Sequence, residues 1–288
     1  MDPGVDILMA SNLSPQAVTE GLDTRWLGKQ EVCCHDVVES TSREAKRLAL
    51  EGAPEGTIVL AEAQSQGRGR LGRPWFSPPG MGLYLSVVLR PKILPEWGPR
   101  ITLTAGVALA VALQRKGIRP ALKWPNDVMV DDRKVAGILT EASIEAKHIG
   151  FVVVGVGINV NTDLEDFPIS IRKLATSLRL SAGRTISRVD LLQTFLYQLE
   201  QWYQLLCQGS FETIMDTWRE YDTTLGKSVE VCLPESRLAG VAQDLDTDGA
   251  LLVRDKTGRV HRIVVGDVVH CHVQGREVCR PSDVVRSP

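Results

Sequence analysis

The chain has 288 residues, a formal net charge of −2, 43% apolar and 24% charged side chains, which fits a folded globular protein of one large domain, or one large and one small. The small net charge argues against a broad basic field for nucleic acid. Six cysteines without a CxxC pair read as reduced thiols of a cytoplasmic protein rather than a disulfide framework. The opening MDPGVDILMA has acids and no basic stretch, unlike a secretion signal. The longest apolar run, Ile101 to Leu113, is bounded by Arg100 and Arg115 and fits a buried helix better than a membrane span.

Residues 1–30 read as a leader, with one short helix starting at Ser14-Pro15. Thr41 and Glu44 form a T-x-x-E capping box, followed by Ala45, Leu48 and Ala49 at helical spacing and a stop at Gly52. Thr57 to Ala63 and Leu83 to Leu89 read as strands. The Gly-, Arg- and Pro-rich stretch between them, Gln64 to Gly82, is too long for a simple turn. A helix over Ile101 to Lys116 precedes short strands at Ala121–Trp124, Val128–Val130 and Val135–Leu139, the last two joined at Asp131-Asp132. Phe151 to Val156 is a further strand. From a cap at Ser187 with Asp190, the apolar residues Val189, Leu192, Phe195, Leu196, Leu199, Trp202, Tyr203 and Leu206 recur at helical spacing. The Trp202-Tyr203 pair therefore reads as core. Ser210 caps a helix to about Tyr221. Beyond Gly226, short strands at Val229–Val231, Ala239–Ala242, Ala250–Val253 and Val260–Val265, with turns at Asp248-Gly249 and Thr257-Gly258, predict a small β-barrel from about 225 to 275.

Four segments carry candidate chemistry. In Gly67-Arg68-Gly69-Arg70-Leu71-Gly72-Arg73, glycines free backbone N–H groups for an anion and arginines add planar donors. Such a loop should be mobile when free and order over an anionic ligand. It lacks the terminal Lys-Ser/Thr of a P-loop and occurs only once, unlike an RGG tail. On composition alone, a solvated basic loop and an anion-gripping one stand equal. Lys123-Trp124-Pro125-Asn126-Asp127 can present a cation and an Asx pair at a bend, suited to phosphate and Mg²⁺ or merely to Asx-turn bonds. Lys134 opens the next strand, where the hairpin could return it beside Asp127, and Gly137 leaves room for a ligand or another backbone. The glycines of Val154-Gly155-Val156-Gly157-Ile158-Asn159 mark either close approach of a flat ligand or a bulge. His270-Cys271-His272 with Cys279 lacks the second matched pair of a zinc site, and Cys33-Cys34 read as small buried apolar residues.

Taken together and in order, Glu39-Ser40-Thr41-Ser42, Gln64, Gly67 to Arg73, Trp75-Phe76-Ser77-Pro78, Lys123 to Asp127, Arg133 to Gly137 and Gly155 to Asn159 closely resemble the catalytic domain of bacterial biotin protein ligases. The GRGRxGRxW and KWPND segments are highly specific to that family, and the resemblance covers about residues 35 to 270. It implies an α+β fold: a mixed-sheet biotin/lipoate ligase-like catalytic domain over 31–224 and a small SH3-like β-barrel domain over 225–275, with a tail at 276–288.

The resemblance also implies the substrates biotin and ATP, Mg²⁺ as cofactor, and a biotin carboxyl carrier protein as acceptor. Ser40, Thr41, Ser42 and Gln64 would meet biotin's ureido ring, Trp75 and Gly137 its pocket, and Gly67, Arg68, Gly69, Arg70 and Lys134 its carboxyl end. ATP would be met by Arg68, Arg70, Arg73, Lys123, Asn126, Gly157 and Asn159. Lys134, Arg70 and Asp127 would be catalytic, with Asp127 also the Mg²⁺ ligand. Ser42 stands where the family often has Asn.

Some family members begin with a winged helix-turn-helix and repress biotin synthesis. Only about thirty residues precede the catalytic part here, so DNA binding is not expected. No membrane partner is expected, and a homodimer is left open. The nearest alternative is a lipoate or octanoate ligase of the same fold. An alternative of another class is a non-catalytic, biotin-sensing DNA-binding regulator.

Overall fold

A computed structural model describes residues 13–145, 148–233 and 236–270. Its first sheet has seven strands: β1 (Val32–Val38), β2 (Ile58–Gln64), β3 (Gly82–Leu89), β4 (Ala121–Lys123), β5 (Asp127–Val130), β6 (Arg133–Glu145) and β7 (His148–Asn159), in the order β1-β2-β3-β7-β6-β5-β4. β1 and β2 pair in parallel, and the other neighbours are antiparallel. The two-residue periodicity of a strand sorts side chains between faces. Ile58 and Leu60, Leu85 and Val87, and Val154 and Val156 enter the main core, whereas Val59, Val88 and Val153 pack with Ala45 and Ala49 of helix α2 (Thr41–Leu50). Burial on both faces explains why β3 and β7 read as continuous apolar runs.

The main core is closed by α3 (Gly98–Arg115), α5 (Arg188–Cys207) and α6 (Phe211–Tyr221); α1 (Pro15–Thr19) and α4 (Leu178–Ala182) are the other, shorter α-helices among the described residues. No helix among the described residues is long and apolar enough to cross a membrane. The stretch 13–30 is packed, with Leu13, Val18, Leu22 and Leu27 buried in the main core. The fully buried Glu200 carboxylate holds this stretch by accepting the N–H groups of Arg25 (2.8 Å), Trp26 (3.0 Å) and Leu27 (3.0 Å). Its anchoring is therefore both apolar and polar, and the polar part is long-range, with no local signal in the sequence.

Strands β8 (Ser228–Cys232), β9 (Arg237–Leu245), β10 (Leu251–Arg254), β11 (Val260–Ile263) and β12 (Asp267–His270) form a second, SH3-like antiparallel sheet in the order β11-β10-β9-β8-β12. It seats directly on the first unit. Trp124 Nε1 donates to the Gly249 carbonyl at 3.0 Å, its backbone N–H donates to Thr224 Oγ1 at 3.1 Å, and Arg100 pairs with Asp248 at 3.0 Å. The indole that follows Lys123 is 2% exposed. It is an anchor to the second sheet, which fixes the next three residues.

Candidate active site

At the N-terminus of α2, the expected capping box does not form. Ser40 is the N-cap, without a side-chain cap bond. The Thr41 N–H and hydroxyl instead donate to Gln64 Oε1, at 2.9 and 3.3 Å. Gln64 Nε2 donates to Ser77 Oγ at 2.9 Å, Ser86 Oγ donates to Thr41 Oγ1 at 2.9 Å, and the Ser42 and Ser86 hydroxyls lie 3.1 Å apart. Ser40, Thr41, Ser42, Ser77 and Ser86 are all buried. The result is a buried chain of small donors and acceptors, a chemistry suited to a neutral polar ring. Ser77 lies in a segment that carries the resemblance but had no role assigned to it; Ser86 was hidden because a lone serine in an apolar strand reads as a filler. Gly155 makes room for this chain, since a Cβ there would lie 2.4 Å from Ser42 Oγ.

The glycine-arginine segment folds back on itself. Trp75 N–H donates to the Gly67 carbonyl at 2.8 Å and Gly69 N–H to that of Arg73 at 2.7 Å, with Leu71 (φ 55°) and Gly72 (φ 74°) turning the tip. A Cβ on Gly67 would sit 2.5 Å from the Trp75 carbonyl oxygen, so that position requires glycine. The turn delivers Arg70 inward, where Nη1 donates to Asn126 Oδ1 (3.3 Å) and to the Gly266 carbonyl (3.2 Å), and pairs with Asp267 Oδ1 (3.3 Å). Burial pulls the Arg70 guanidinium below the ordinary arginine value even though Asp267 and Asp127 oppose that shift, so a further anion would be welcome. Arg73 Nη2 reaches Asp267 Oδ2 at 2.6 Å. Arg68 is exposed and has no side-chain partner among the described residues.

The KWPND segment ends β4, turns through Pro125 and Asn126 and begins β5. Asn126 Nδ2 donates to the Ile138 carbonyl at 2.8 Å and Ile138 N–H to that of Asn126 at 3.0 Å, which locks the turn onto β6. Lys123 and Asp127 are cross-strand partners, as are Asp127 and Gly137. The two-aspartate turn, Asp131 and Asp132 both at positive φ, brings β6 back. Lys134 Nζ thereby lies 2.5 Å from Asp127 Oδ1 and 5.5 Å from the centre of the Trp75 ring. Burial lowers the Lys123 ammonium below the usual lysine value, with Lys134 adding to the effect and Asp127 and Asp267 opposing it.

Trp75 lies over two glycines. A Cβ on Gly157 would come within 2.3 Å of its Nε1, and one on Gly137 within 3.1 Å of Cζ3. Gly157 thus touches the tryptophan directly. Asn159, expected at the nucleotide, donates from Nδ2 to the Thr176 carbonyl at 3.1 Å and is 6% exposed. Thr176 N–H in turn bonds the Lys134 carbonyl at 2.9 Å. Asn159 therefore braces the loop behind Lys134. Among the described residues no cluster of three or more His, Cys, Asp or Glu could hold a metal ion. Cys271, His272, Cys279 and the tail lie outside the described residues, as does the His270 side chain.

Arg70 and Lys134 thus meet at adjacent residues, Asn126 and Asp127. Residues 34–159 match the sequence model of the biotin/lipoate A/B protein ligase family. Residues 224–271 match that of the biotin protein ligase C terminal domain, which separates the chain from the lipoate alternative. The chain is 36% identical over 257 residues to the bifunctional ligase/repressor BirA of Bacillus subtilis, covering 89% of this chain and 78% of that one. The chain belongs to the biotin protein ligase family. Another biotin ligase relative is the biotin–[acetyl-CoA-carboxylase] ligase of Mycobacterium tuberculosis, 34% identical over 243 residues, 80% of this chain and 85% of that one. The biotin protein ligase of Aquifex aeolicus, solved in complex with biotin and ATP, superposes with a TM-score of 0.71 at 29% identity, covering 84% of this chain and 99% of that one.

Proposed function

We propose that this chain is an ATP-dependent biotin protein ligase that forms biotinyl-5′-AMP and passes the biotin to a specific lysine of a biotin carboxyl carrier protein. The observation that carries the reading is the convergence of Arg70 and Lys134 on the Asn126-Asp127 turn. In the first half-reaction a biotin carboxylate oxygen attacks the α-phosphorus of ATP, and the bond to the bridging oxygen breaks to release pyrophosphate. Both reactants are anions, so cations held in place beforehand are the natural catalysts. Lys134 and Arg70 supply them at the carboxylate and α-phosphate, and Lys123 supplies a third at the phosphates. The hydroxyl chain of Thr41, Ser42, Ser77 and Ser86 with Gln64 receives the ureido ring, and Trp75 covers it.

In the second half-reaction the neutral amine of the acceptor lysine attacks the biotinyl carbonyl and AMP leaves. At pH 7 only about one lysine in a few thousand is neutral, so a proton acceptor beside the anhydride helps, and Asp127, next to Lys134, takes that role in this reading. The Asp127 carboxylate, paired with Lys134 through Oδ1, also suits Mg²⁺, an ion that is held by one or two carboxylates together with substrate phosphates and would offset triphosphate charge. The free thiols of Cys33, Cys34, Cys207 and Cys232 accord with a reducing cytoplasm.

The test is incubation with biotin, ATP, Mg²⁺ and a biotin carboxyl carrier domain, followed by intact mass measurement. A single biotinyl adduct that requires both biotin and ATP is expected. No adduct, or preferential use of lipoate, would overturn the reading.

A further inference from the structure

Asp267 is the first residue of β12, in the second sheet, yet its carboxylate faces the tip of the glycine-arginine segment of the first unit. Its two oxygens divide between the two arginines that flank the tip: Oδ1 accepts a hydrogen bond from Arg70 Nη1 at 3.3 Å, and Oδ2 is 2.6 Å from Arg73 Nη2, an ion pair without hydrogen-bond geometry. The preceding carbonyl, of Gly266, accepts from the same Arg70 nitrogen at 3.2 Å. The carboxylate is 18% exposed and Arg70 20%, against 58% for Arg73. The acid therefore sits at the inner end of the contact, where water screens it least. Its position is rigid, because β12 is paired along its length with β8 and the second sheet is locked to Trp124. The tip has few other tethers: Leu71 is 62% exposed and the Arg68 side chain has no partner among the described residues.

We propose that Asp267 is a positioning residue for the ligase reaction: it clasps the arginine segment to the second sheet, so that the segment retains biotinyl-adenylate until the acceptor lysine arrives. Asp267 acts through Arg70 and Arg73. The two arginines divide the work. Arg70, deeper and already bonded to Asn126, turns to the adenylate phosphate, while the shorter Arg73–Asp267 pair keeps the tip in place. The second sheet is then part of the catalytic unit through one carboxylate, since the fate of the intermediate depends on it.

The inference rests on the ligase reading, and the experiment separates the two. Full-length chain is loaded with biotin, ATP and Mg²⁺ without acceptor, desalted, and the release of biotinyl-adenylate is followed. Pyrophosphate exchange is measured alongside. Asp267→Asn is expected to release adenylate roughly five- to thirty-fold faster, the scale of one or two partly screened ion pairs, while the exchange kcat falls by a clearly smaller factor, because Arg70, Lys134 and Lys123 are all retained. Asp267→Glu should restore most of the retention. Arg73→Gln, a change at an exposed side chain that leaves β12 untouched, should also speed release, and the double variant should be no faster than the faster single. If Asp267→Asn fails to fold, Arg73→Gln alone decides. Release at the unaltered rate in the folded variants would overturn the clasp and leave the ligase reading standing. Failure of the unaltered chain to form adenylate would overturn both.

Discussion

Lys134 Nζ lies 2.5 Å from Asp127 Oδ1, across the antiparallel pair β5–β6. Under the proposed function, the pair sets a cation and its counter-ion side by side where a carboxylate and a phosphate would be joined. In the proposed reaction the two have different main tasks: Lys134 serves adenylation, and Asp127, besides its part in holding Mg²⁺ there, accepts the proton in transfer. Asp127→Asn should keep biotin-dependent pyrophosphate exchange within about tenfold and slow transfer from preformed adenylate by roughly 10²-fold or more. Single-turnover transfer to the carrier domain checks this. Equal losses in both half-reactions would remove Asp127 from the proton-accepting role.

The contact of Trp75 with Gly157 gives a second expectation. Gly157→Ala places a methyl 2.3 Å from Nε1, and Gly137→Ala one 3.1 Å from Cζ3. The first must push the indole aside and the second need only nudge it. Gly157→Ala should therefore lower stability by about 1–3 kcal/mol and raise the KM for biotin, with Gly137→Ala milder on both counts. Tryptophan fluorescence and thermal melting follow the displacement.

Trp124 ties the KWPND turn to the second sheet through the Gly249 carbonyl. Trp124→Phe keeps most of the ring but strands that carbonyl, at a cost of about 1–3 kcal/mol. Trp124→Ala should cost about 3–5 kcal/mol. Urea unfolding measures both. A Trp124→Phe variant as stable as the parent would mean that packing alone seats the sheet.

Lys123 gives a pH dependence. Burial first, and Lys134 second, lower its ammonium below the lysine value of 10.5. Its charge, and the ATP affinity that depends on it, should fall away as pH rises through that lowered value, before an ordinary lysine would titrate. The stability sign is opposite. Between the folded value and the unfolded one the unfolded chain binds more protons, so this group's contribution rises with pH in that window. The KM for ATP in pyrophosphate exchange, followed from neutrality to about pH 10, should climb in the parent and stay flatter in Lys123→Arg.

Most strands and the long helices were legible because their apolar periods are strong. The Ser187 cap predicted for α5 is present, its Oγ accepting from Asp190 N–H at 3.3 Å. The motif residues Arg70, Asn126, Asp127 and Lys134 were also legible, since their spacing and composition are unusual. What escaped depended on long-range polar contacts. Thr41 looked like a helix cap because its true partner, Gln64, is a distant residue on another strand. Residues 13–30 looked loose because a carboxylate on α5 holds their backbone. Strand β12 was missed because the apolar run read as one strand, Val260–Val265, extends almost to it, whereas β11 ends at Ile263 and β12 begins at Asp267. Asp267 was missed with it, since one acid at a strand start carries no local signal of two arginines reached only in the fold.

The most direct test of the active-site assignment is biotin-dependent ATP–pyrophosphate exchange by Lys134→Ala, with circular dichroism and melting run on the same sample. The expected result is a loss of roughly 10²- to 10³-fold or more, the scale for removing one preorganised charge-stabilising donor, in a protein that melts close to the parent. Near-parental exchange in that folded variant would contradict the assignment of adenylate chemistry to the cluster of Arg70, Asn126, Asp127 and Lys134.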